Sequence, residues 1–367
     1  MDTTIISPAQ NTMQLFEQIS ANDHEQVVFC NDKASGLKSI IAIHNTTLGP
    51  ALGGTRFWNY ANDADAIKDV LRLSRGMTYK AAISGLNLGG GKAVIIGNSA
   101  TDKSEALWRR YGKFVNSLNG KYITAEDVGT NTADMEYIAM ETKHVTGIPE
   151  YMGGSGDPSP VTAYTTFLGM KAAAKKAYGN DSLSGKTVAV QGAGHVAGYL
   201  IEMLVKDGAT VYVTDIATDK VKALQNKFSG INAVEPDAIY DVKMDVYAPC
   251  AMGATVNDST LKRLKCAIIA GCANNQLEDE VLHGNAVKQM GMLYAPDFLI
   301  NSGGLINVYT EMLGYNRERA MGKADKVYGL TMDIFNTSES ENITSHKAAL
   351  MLAEKRIAEI AKLNAKL

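Results

Sequence analysis

The sequence predicts an α/β protein of two domains, and three observations carry that reading. Its 367 residues exceed what a single hydrophobic core usually organises. Short β-rich apolar runs alternate with longer segments whose apolar residues recur every three or four positions, as βαβ units require. A glycine turn, Gly192-Ala193-Gly194-His195-Val196-Ala197, stands between the apolar run KTVAVQ and a helical pattern, the junction at which open parallel sheets bind phosphate-bearing ligands.

In order along the chain, EQVVFCNDKASGLKSIIAIHNTT reads as a hairpin turning at Lys33-Ala34-Ser35-Gly36. From Asn62 onward Ala66, Ile67, Val70, Leu71, Ser74 and Met77 form one helical face, which puts Lys80 at or beyond its last turns. A glycine loop with Gly85, Gly89, Gly90 and Gly91 then leads into the short strand KAVIIG. The stretch DKSEALWRRYGKFVNSLNG is a helix stopped by Gly120, and YITA is a further strand. Glycine and proline concentrate around residues 147 to 161, GIPEYMGGSGDPSP, and mark a hinge. KTVAVQGAGHVAGYLIEMLVKDGATVYVTD is strand, turn, helix and strand, followed by strands at DVYAPC, CAIIAG and MLYAP, so a doubly wound nucleotide domain is expected. Beyond about residue 335 only helical periodicity remains. The expected division is 1–148, 149–334 and a C-terminal helical segment 335–367.

A net charge of -3 offers no footprint for nucleic acid or an acidic membrane surface. The amino terminus MDTTIISPAQNTMQLF lacks a signal-peptide pattern, and no stretch approaches the roughly 20 apolar residues of a membrane span, so a cytoplasmic protein without membrane contact is expected. Cys30, Cys250, Cys266 and Cys272 lack CxxC spacing and read as reduced structural thiols; the three N-x-S/T sequons are then chance matches. No metal is expected, because the six histidines show neither HExxH nor paired spacing.

Asp215 lies 21 residues after Gly194, at the end of TVYVTD, where a carboxylate accepts from a ribose 2′-hydroxyl and repels a 2′-phosphate. With the turn it selects NAD over NADP, and His195 becomes a helix-start residue. The loop before Lys92 fails as a phosphate cradle: Leu86 stands where GxxxxGK needs glycine, and Ala93 where it needs Ser or Thr. Two amines, Lys80 and Lys92, held near one another repel, so at least one loses basicity and becomes a candidate general base. Two solvated lysines are the plainer alternative, and spacing alone does not choose. Ala125-Glu126-Asp127-Val128-Gly129 supplies carboxylates at a strand end, one of which can instead cap the following helix.

EQVVFC, IIAIHNTTLGPALGGTR, LRLSRGMTYKAA, GGGKAVIIG, YITAEDVGT, SPVTAY, YAPCAMGATVN, ANNQL, YAPDFLINSGGLINV and GYNRERA, in this order, resemble the amino-acid dehydrogenases acting on glutamate, leucine, phenylalanine and valine, most closely the leucine branch. The resemblance covers nearly the whole chain. It implies an N-terminal α/β substrate and oligomerisation domain, a Rossmann-type NAD-binding domain, and C-terminal helices returning to the first domain. The implied reaction is reversible NAD-dependent oxidative deamination of a branched-chain L-amino acid to a 2-oxo acid and ammonium, by a homo-oligomer, octameric in many leucine-branch members. By the same resemblance Lys80 grips the substrate carboxylate, Lys92 activates water and Asp127 moves protons at the amino group. Gly53 and Gly54 line the substrate's approach; Leu52, Ala125, Leu305 and Val308 form its side-chain pocket. Gly192, Gly194, His195, Val196 and Asp215 hold the cofactor, with Thr162, Asn274 and Asn301 near its nicotinamide end. Glutamate-specific members carry a lysine where Leu52 stands, so an unpaired substrate carboxylate is rejected here. GGGKAVIIG and NSGGLINV look more like the phenylalanine and tryptophan enzymes, which keeps an aromatic substrate as the alternative, while Leu305 stands where leucine enzymes commonly have valine, an extra methylene that trims the pocket; a catalytically silent NAD-binding protein is the alternative of another class.

Overall fold

The computed structural model describes residues 15 to 364; all but the last two residues of the amino-terminal stretch read for targeting signals lie outside them. The chain forms two compact units. One holds the described residues up to Thr46 with Pro50–Thr78 and Gly90–His144; the other holds Thr47–Gly49, Tyr79–Gly89 and the described residues from Val145 onward.

In the first unit, α1 (Leu15–Ala21) precedes the hairpin of β1 (Gln26–Asp32) and β2 (Leu37–Asn45), whose turn has Gly36 at φ 74°. With β3 (Ala51–Trp58), β4 (Gly89–Ile96) and β5 (Tyr122–Glu126) they form an open sheet in the order β1-β2-β4-β3-β5, mixed in direction. Helix α2 (Asp63–Ile83) buries Ala66, Ile67, Val70 and Leu71 against Ile40, Ala42 and Val94 of β2 and β4. Each large aliphatic chain removed from water there contributes about 1.5–3 kcal/mol. Lys80 sits in the last turn of α2, as its spacing predicts. Helix α3 (Glu105–Ser117) starts at Ser104, whose hydroxyl accepts from Leu107 N, and the chain turns out of it through Asn119 and Gly120, both at positive φ. α4 (Thr132–Ala139) follows β5.

The glycine loop is where the structure corrects the sequence reading. Gly85, at φ 70°, does turn the chain after α2, but Gly89, Gly90 and Gly91 are strand residues of β4. The reason is room. A Cβ on Gly90 would lie 2.1 Å from Thr78 Oγ1 and 2.2 Å from Thr78 N, and one on Gly91 2.7 Å from the Tyr122 ring. Here glycine serves close approach of a helix to a strand, which a sequence cannot distinguish from a turn.

In the second unit α5 (Ser159–Tyr178) leads to β6 (Thr187–Gln191), α6 (His195–Lys206), β7 (Thr210–Thr214), α7 (Thr218–Lys227), β8 (Asn232–Ala233), β9 (Val246–Pro249), α8 (Asp258–Leu261), β10 (Ile268–Ile269), α9 (Leu282–Gln289) and β11 (Leu293–Tyr294). All five strand pairings are parallel and the order is β11-β10-β9-β6-β7-β8. The chain winds both ways from β6, the Rossmann topology, with its switch point between β6 and β9. α10 (Asp297–Ile300), α11 (Gly303–Glu311), α12 (Arg317–Ala324), α13 (Lys326–Ser340) and α14 (Ser345–Asn364) complete it, and α13 runs unbroken through residue 335. Arg356 of α14 donates to the carbonyls of Ala82 at 3.1 Å and Leu86 at 2.7 Å and to Asn87 Oδ1 at 2.9 Å. The glycine-rich stretch at 147–161 is pinned by one carboxylate: Glu311 accepts from Gly147 N at 3.1 Å and Ser155 N at 2.9 Å. The four cysteines are free thiols. Among the described residues no helix is long and apolar enough to cross a membrane.

Two histidines separated in sequence meet inside the first unit. The rings of His24 and His44 stand edge to face with centroids 4.8 Å apart; His24 Nε2 lies 2.9 Å from Ser74 Oγ, and His44 Nδ1 lies 2.8 Å from Thr78 Oγ1. Burial, with the neighbouring His24 adding to it, pushes the His44 imidazole down to about 4 from 6.5.

Two stability predictions follow from this packing. Gly90→Ala costs about 3 kcal/mol, read as a lowered urea midpoint, whereas Gly322→Ala in α12, with nothing within 4 Å of the new Cβ, is neutral or stabilising. Because His44 is neutral when folded and charged when unfolded between about pH 4 and 6.5, its contribution is full above 6.5 and is lost as pH falls toward 4, of order 3 kcal/mol. Thermal midpoints measured from pH 7 to 4.5 therefore decline less steeply in His44→Gln than in the unaltered protein.

Candidate active site

The parallel register of β3 and β5 pairs Leu52 with Ile123, Gly53 with Thr124 and Gly54 with Ala125. Strand alternation then puts Leu52, Gly54 and Arg56 on one face with Ile123, Ala125 and Asp127. Tyr122 and Thr124 on the opposite face are 0% exposed; on the first face Leu52, Ile123 and Ala125 are buried too, while Arg56 and Asp127 each keep 21% of their side-chain surface exposed, so that face opens at its Arg56–Asp127 end. The opposite face is closed by a hydroxyl cluster in which Thr55 Oγ1 lies 2.6 Å from both Tyr111 OH and Thr124 Oγ1.

Lys92 reaches this site from β4. Its Nζ lies 2.9 Å from Asp127 Oδ1, and its side chain is only 6% exposed against 21% for Asp127. Arg56 Nε bonds Asp127 Oδ2 at 2.9 Å, and Arg56 Nη1 bonds Asp69 Oδ2 of α2 at 2.8 Å. Tyr60 OH donates to the same Asp69 oxygen at 2.7 Å, and Arg72 holds the other at 3.1 Å. Burial works to raise the Asp127 carboxyl, but Lys92 and Arg56 outweigh it and hold the group below the usual carboxylate range.

The loop after β5 is laced in place. Phe57 N donates to Val128 O at 2.9 Å, Thr130 Oγ1 donates to Asp127 O at 2.9 Å, and Gly129, at φ 81°, leaves no room for a side chain beside Phe57 O. The expectation that Glu126 or Asp127 caps the next helix is corrected. Asn131 caps α4 in a capping box with Asp134, while Glu126 accepts from the Thr132 hydroxyl. Gly53 and Gly54 have a packing reason: their Cβ atoms would meet Gly91 O at 1.8 Å and Glu126 O at 2.1 Å. Sequence reading missed Arg56 and Asp69 altogether; the register that sets Arg56 opposite Asp127 is the signal that finds the first.

In the second unit the glycine turn has the geometry a dinucleotide needs. Gly192 adopts φ 118° against Cys250 and Ala251, where no side chain fits, and donates its N–H to Thr214 O at 2.8 Å. Nothing stands within 4 Å of a Cβ on Gly194, and helix α6, which starts at His195 and Val196, has no side-chain cap on its first amides. Open space before unsatisfied amides at a helix N-terminus fits a pyrophosphate. Asp215 holds the turn as well as facing it: Oδ2 accepts from Ala193 N and Oδ1 from Ala217 N, both at 2.8 Å. Burial raises its carboxyl, yet these two amides and Lys220 leave it below its ordinary value. A cavity of about 490 Å³ beside the turn is lined by Gly194, His195, Tyr199 and Lys220 among others.

Farther along, Asn301 Nδ2 donates to Asn274 Oδ1 at 2.7 Å, and the buried Asn301 Oδ1 has no hydrogen-bond partner. Thr162 lies in the first turn of α5, its hydroxyl donating to Pro158 O at 3.0 Å, and Gly303 crosses its backbone too closely for any side chain. Leu305 is buried and Val308 half-buried on α11. Thus Leu52, Gly53, Gly54, Lys92, Ala125 and Asp127 gather in the first unit. Lys80, Thr162, Gly192, Gly194, His195, Val196, Asp215, Asn274, Asn301, Leu305 and Val308 belong to the second.

Comparison with known proteins identifies the family. Residues 24–144 match the family domain described as Glu/Leu/Phe/Val dehydrogenase, dimerisation domain, and residues 153–364 match Glutamate/Leucine/Phenylalanine/Valine dehydrogenase. The chain is 55% identical to a leucine dehydrogenase of Thermoactinomyces intermedius, over 94% of both chains. It is 47% identical to a phenylalanine dehydrogenase of Lysinibacillus sphaericus, over 94% of this chain and 90% of that one. The crystal structure of L-tryptophan dehydrogenase from Nostoc punctiforme superposes with a TM-score of 0.84 at 44% identity, covering 95% of this chain and 99% of that one. With one unit of Rossmann topology and another that holds a buried lysine–carboxylate pair, the chain belongs to the Glu/Leu/Phe/Val dehydrogenase family of amino-acid dehydrogenases.

Proposed function

We propose that this protein catalyses the NAD-dependent, reversible oxidative deamination of branched-chain L-amino acids, leucine together with valine and isoleucine, to 2-oxo acids and ammonium. The observation that carries the reading is the buried Lys92 amine 2.9 Å from Asp127, a carboxylate on the sheet face that also bears Leu52 and Ala125. Gly192, Gly194, His195, Val196 and Asp215 hold the dinucleotide, and Thr162, Asn274 and Asn301 attend its nicotinamide end. When bound, the nicotinamide supplies the hydride acceptor for the substrate Cα.

Lys80 grips the substrate carboxylate as a fixed cation. Asp127, ionised because two cations flank it, takes a proton from the substrate amino group. Lys92 in its neutral form takes a proton from water as the oxygen attacks the iminium carbon, gives it to the carbinolamine nitrogen, and takes up the hydroxyl proton as the C–N bond breaks, the carbonyl forms and ammonia departs. Asp215 supports NAD over NADP, since its fixed negative oxygens repel a 2′-phosphate. Leu52 and Ala125 offer a substrate side chain no charge, and Leu305 and Val308 are likewise apolar. The higher identity to the leucine enzyme than to the phenylalanine enzyme supports an aliphatic substrate. We assign substrate binding and assembly to residues 1–148 and the cofactor to 149–334. The bonds from Arg356 to residues 82–87 support a segment 335–367 that returns to the chain's first third. The protein acts in the cytoplasm as a homo-oligomer, and light scattering tests an octamer.

Lys92→Ala lowers deamination about a thousandfold while NADH binding, followed by fluorescence titration, changes less than about twofold, because the dinucleotide turn is built from other residues. Turnover near that of the unaltered protein refutes the assignment. In a panel of kcat/KM values, leucine, valine and isoleucine lie within about 1–3 kcal/mol of one another, and phenylalanine, tryptophan and glutamate fall below all three. A preference for phenylalanine or tryptophan overturns the aliphatic pocket.

A further inference from the structure

Arg56 is the charged group of the site to which no chemical role has been given. It is 21% exposed and spends two different nitrogens on two different carboxylates, Nε on Asp127 and Nη1 on Asp69. A planar guanidinium can hold both acids in fixed directions at once, whereas an ammonium cannot. Asp69 is itself fixed, by Tyr60 OH on one oxygen and Arg72 on the other. The charges therefore alternate from Lys92 through Asp127, Arg56 and Asp69 to Arg72, and Asp127 is the only member of that chain with one oxygen turned to a catalytic amine.

We propose that Arg56 is a positioning residue for Asp127: anchored on Asp69 and Tyr60, it holds Oδ2 so that Oδ1 faces Lys92 and keeps the carboxylate ionised while Lys92 changes charge. The proposal rests on the catalytic role given above to Asp127 and adds a residue to it. Its physical need is plain. A Lys92 that has lost its proton no longer compensates the half-buried carboxylate, and without a second cation Asp127 would take up a proton from solvent instead of from substrate. Sharing Arg56 with Asp69 tempers the effect, since a guanidinium committed to one acid alone would make Asp127 too weak a base. The groups bearing on Asp127 are Lys92 from β4, Arg56 and, beyond it, Tyr60 and Asp69 from the β3 and α2 side, and the buried Tyr122 hydroxyl from β5.

The test is the pH dependence of kcat/KM for leucine in the full-length protein and in R56M, R56K, D69N and D127N, with folding checked by thermal midpoint. In R56M, kcat falls at least about tenfold with leucine KM changed less than threefold, and the acidic limb of the profile moves up by about one pH unit or more. R56K keeps the charge and so keeps the limb within about half a unit, but kcat stays at least about fivefold low because one ammonium cannot span both acids. D69N leaves the limb at or below its original position. An R56M profile that is only scaled down, a limb raised in D69N, or R56K with unaltered kcat each overturns the proposal. If R56M does not fold, the R56K result alone decides. Loss of turnover in D127N with an unmoved R56M limb refutes the role of Arg56 only; full turnover in D127N refutes the proposed function itself.

Discussion

An ammonium buried between strands is the constraint around which the first unit is arranged. Lys92 is 6% exposed, and an unpaired cation there would cost several kcal/mol. Asp127 compensates it, but a half-buried carboxylate then needs fixing in its turn, which Arg56 does, and Arg56 needs Asp69. Each step dictates backbone. The carboxylate must emerge one residue past β5, the guanidinium must lie opposite it on β3, and β4 must run beside β3 for the amine to reach across. The parallel register of β3 with β5 and the strand order β2-β4-β3 are what those demands look like in the fold.

The second unit meets a different electrostatic demand with backbone dipoles. Amides left uncapped at the start of α6 face open space at Gly194, and the turn that aims them is held by Asp215 through two N–H groups. The acid at this position thus organises the turn by itself. Glu311 performs similar work elsewhere in the unit, gathering the amides of Gly147 and Ser155 onto α11. In both places one carboxylate replaces the hydrogen bonds that glycine-rich chain cannot make to itself.

What the sequence disclosed followed from periodicity and from turn chemistry. Val70 and Leu71 recur on a helical face because α2 buries that face, Gly36 turns the hairpin, and the run TVAVQ before Gly192 reads as a buried parallel strand. The two-residue strands β8, β10 and β11 are too short to carry a period of their own. Glycine was the misleading letter: Gly89, Gly90 and Gly91 spell a loop, and only tertiary contact with Thr78 and Tyr122 makes them a strand. Lys92, Asp127, Asn274 and Asn301 were legible through resemblance more than through spacing. Their pairings, like those of Arg56 with Asp127 and His24 with His44, join positions whose separation along the chain has no local signature.

The backbone contacts at Gly53, Gly54, Gly90 and Gly91 also limit what variation can do to this protein. At each of these positions a Cβ would collide with a neighbouring strand or helix, so the bare main chain of β3 and of β4, the strand that carries Lys92, is what lets the neighbours approach. Main chain cannot be exchanged one residue at a time. Substitution there is therefore left to the neighbouring positions that already carry side chains, such as Leu52 and Ala125.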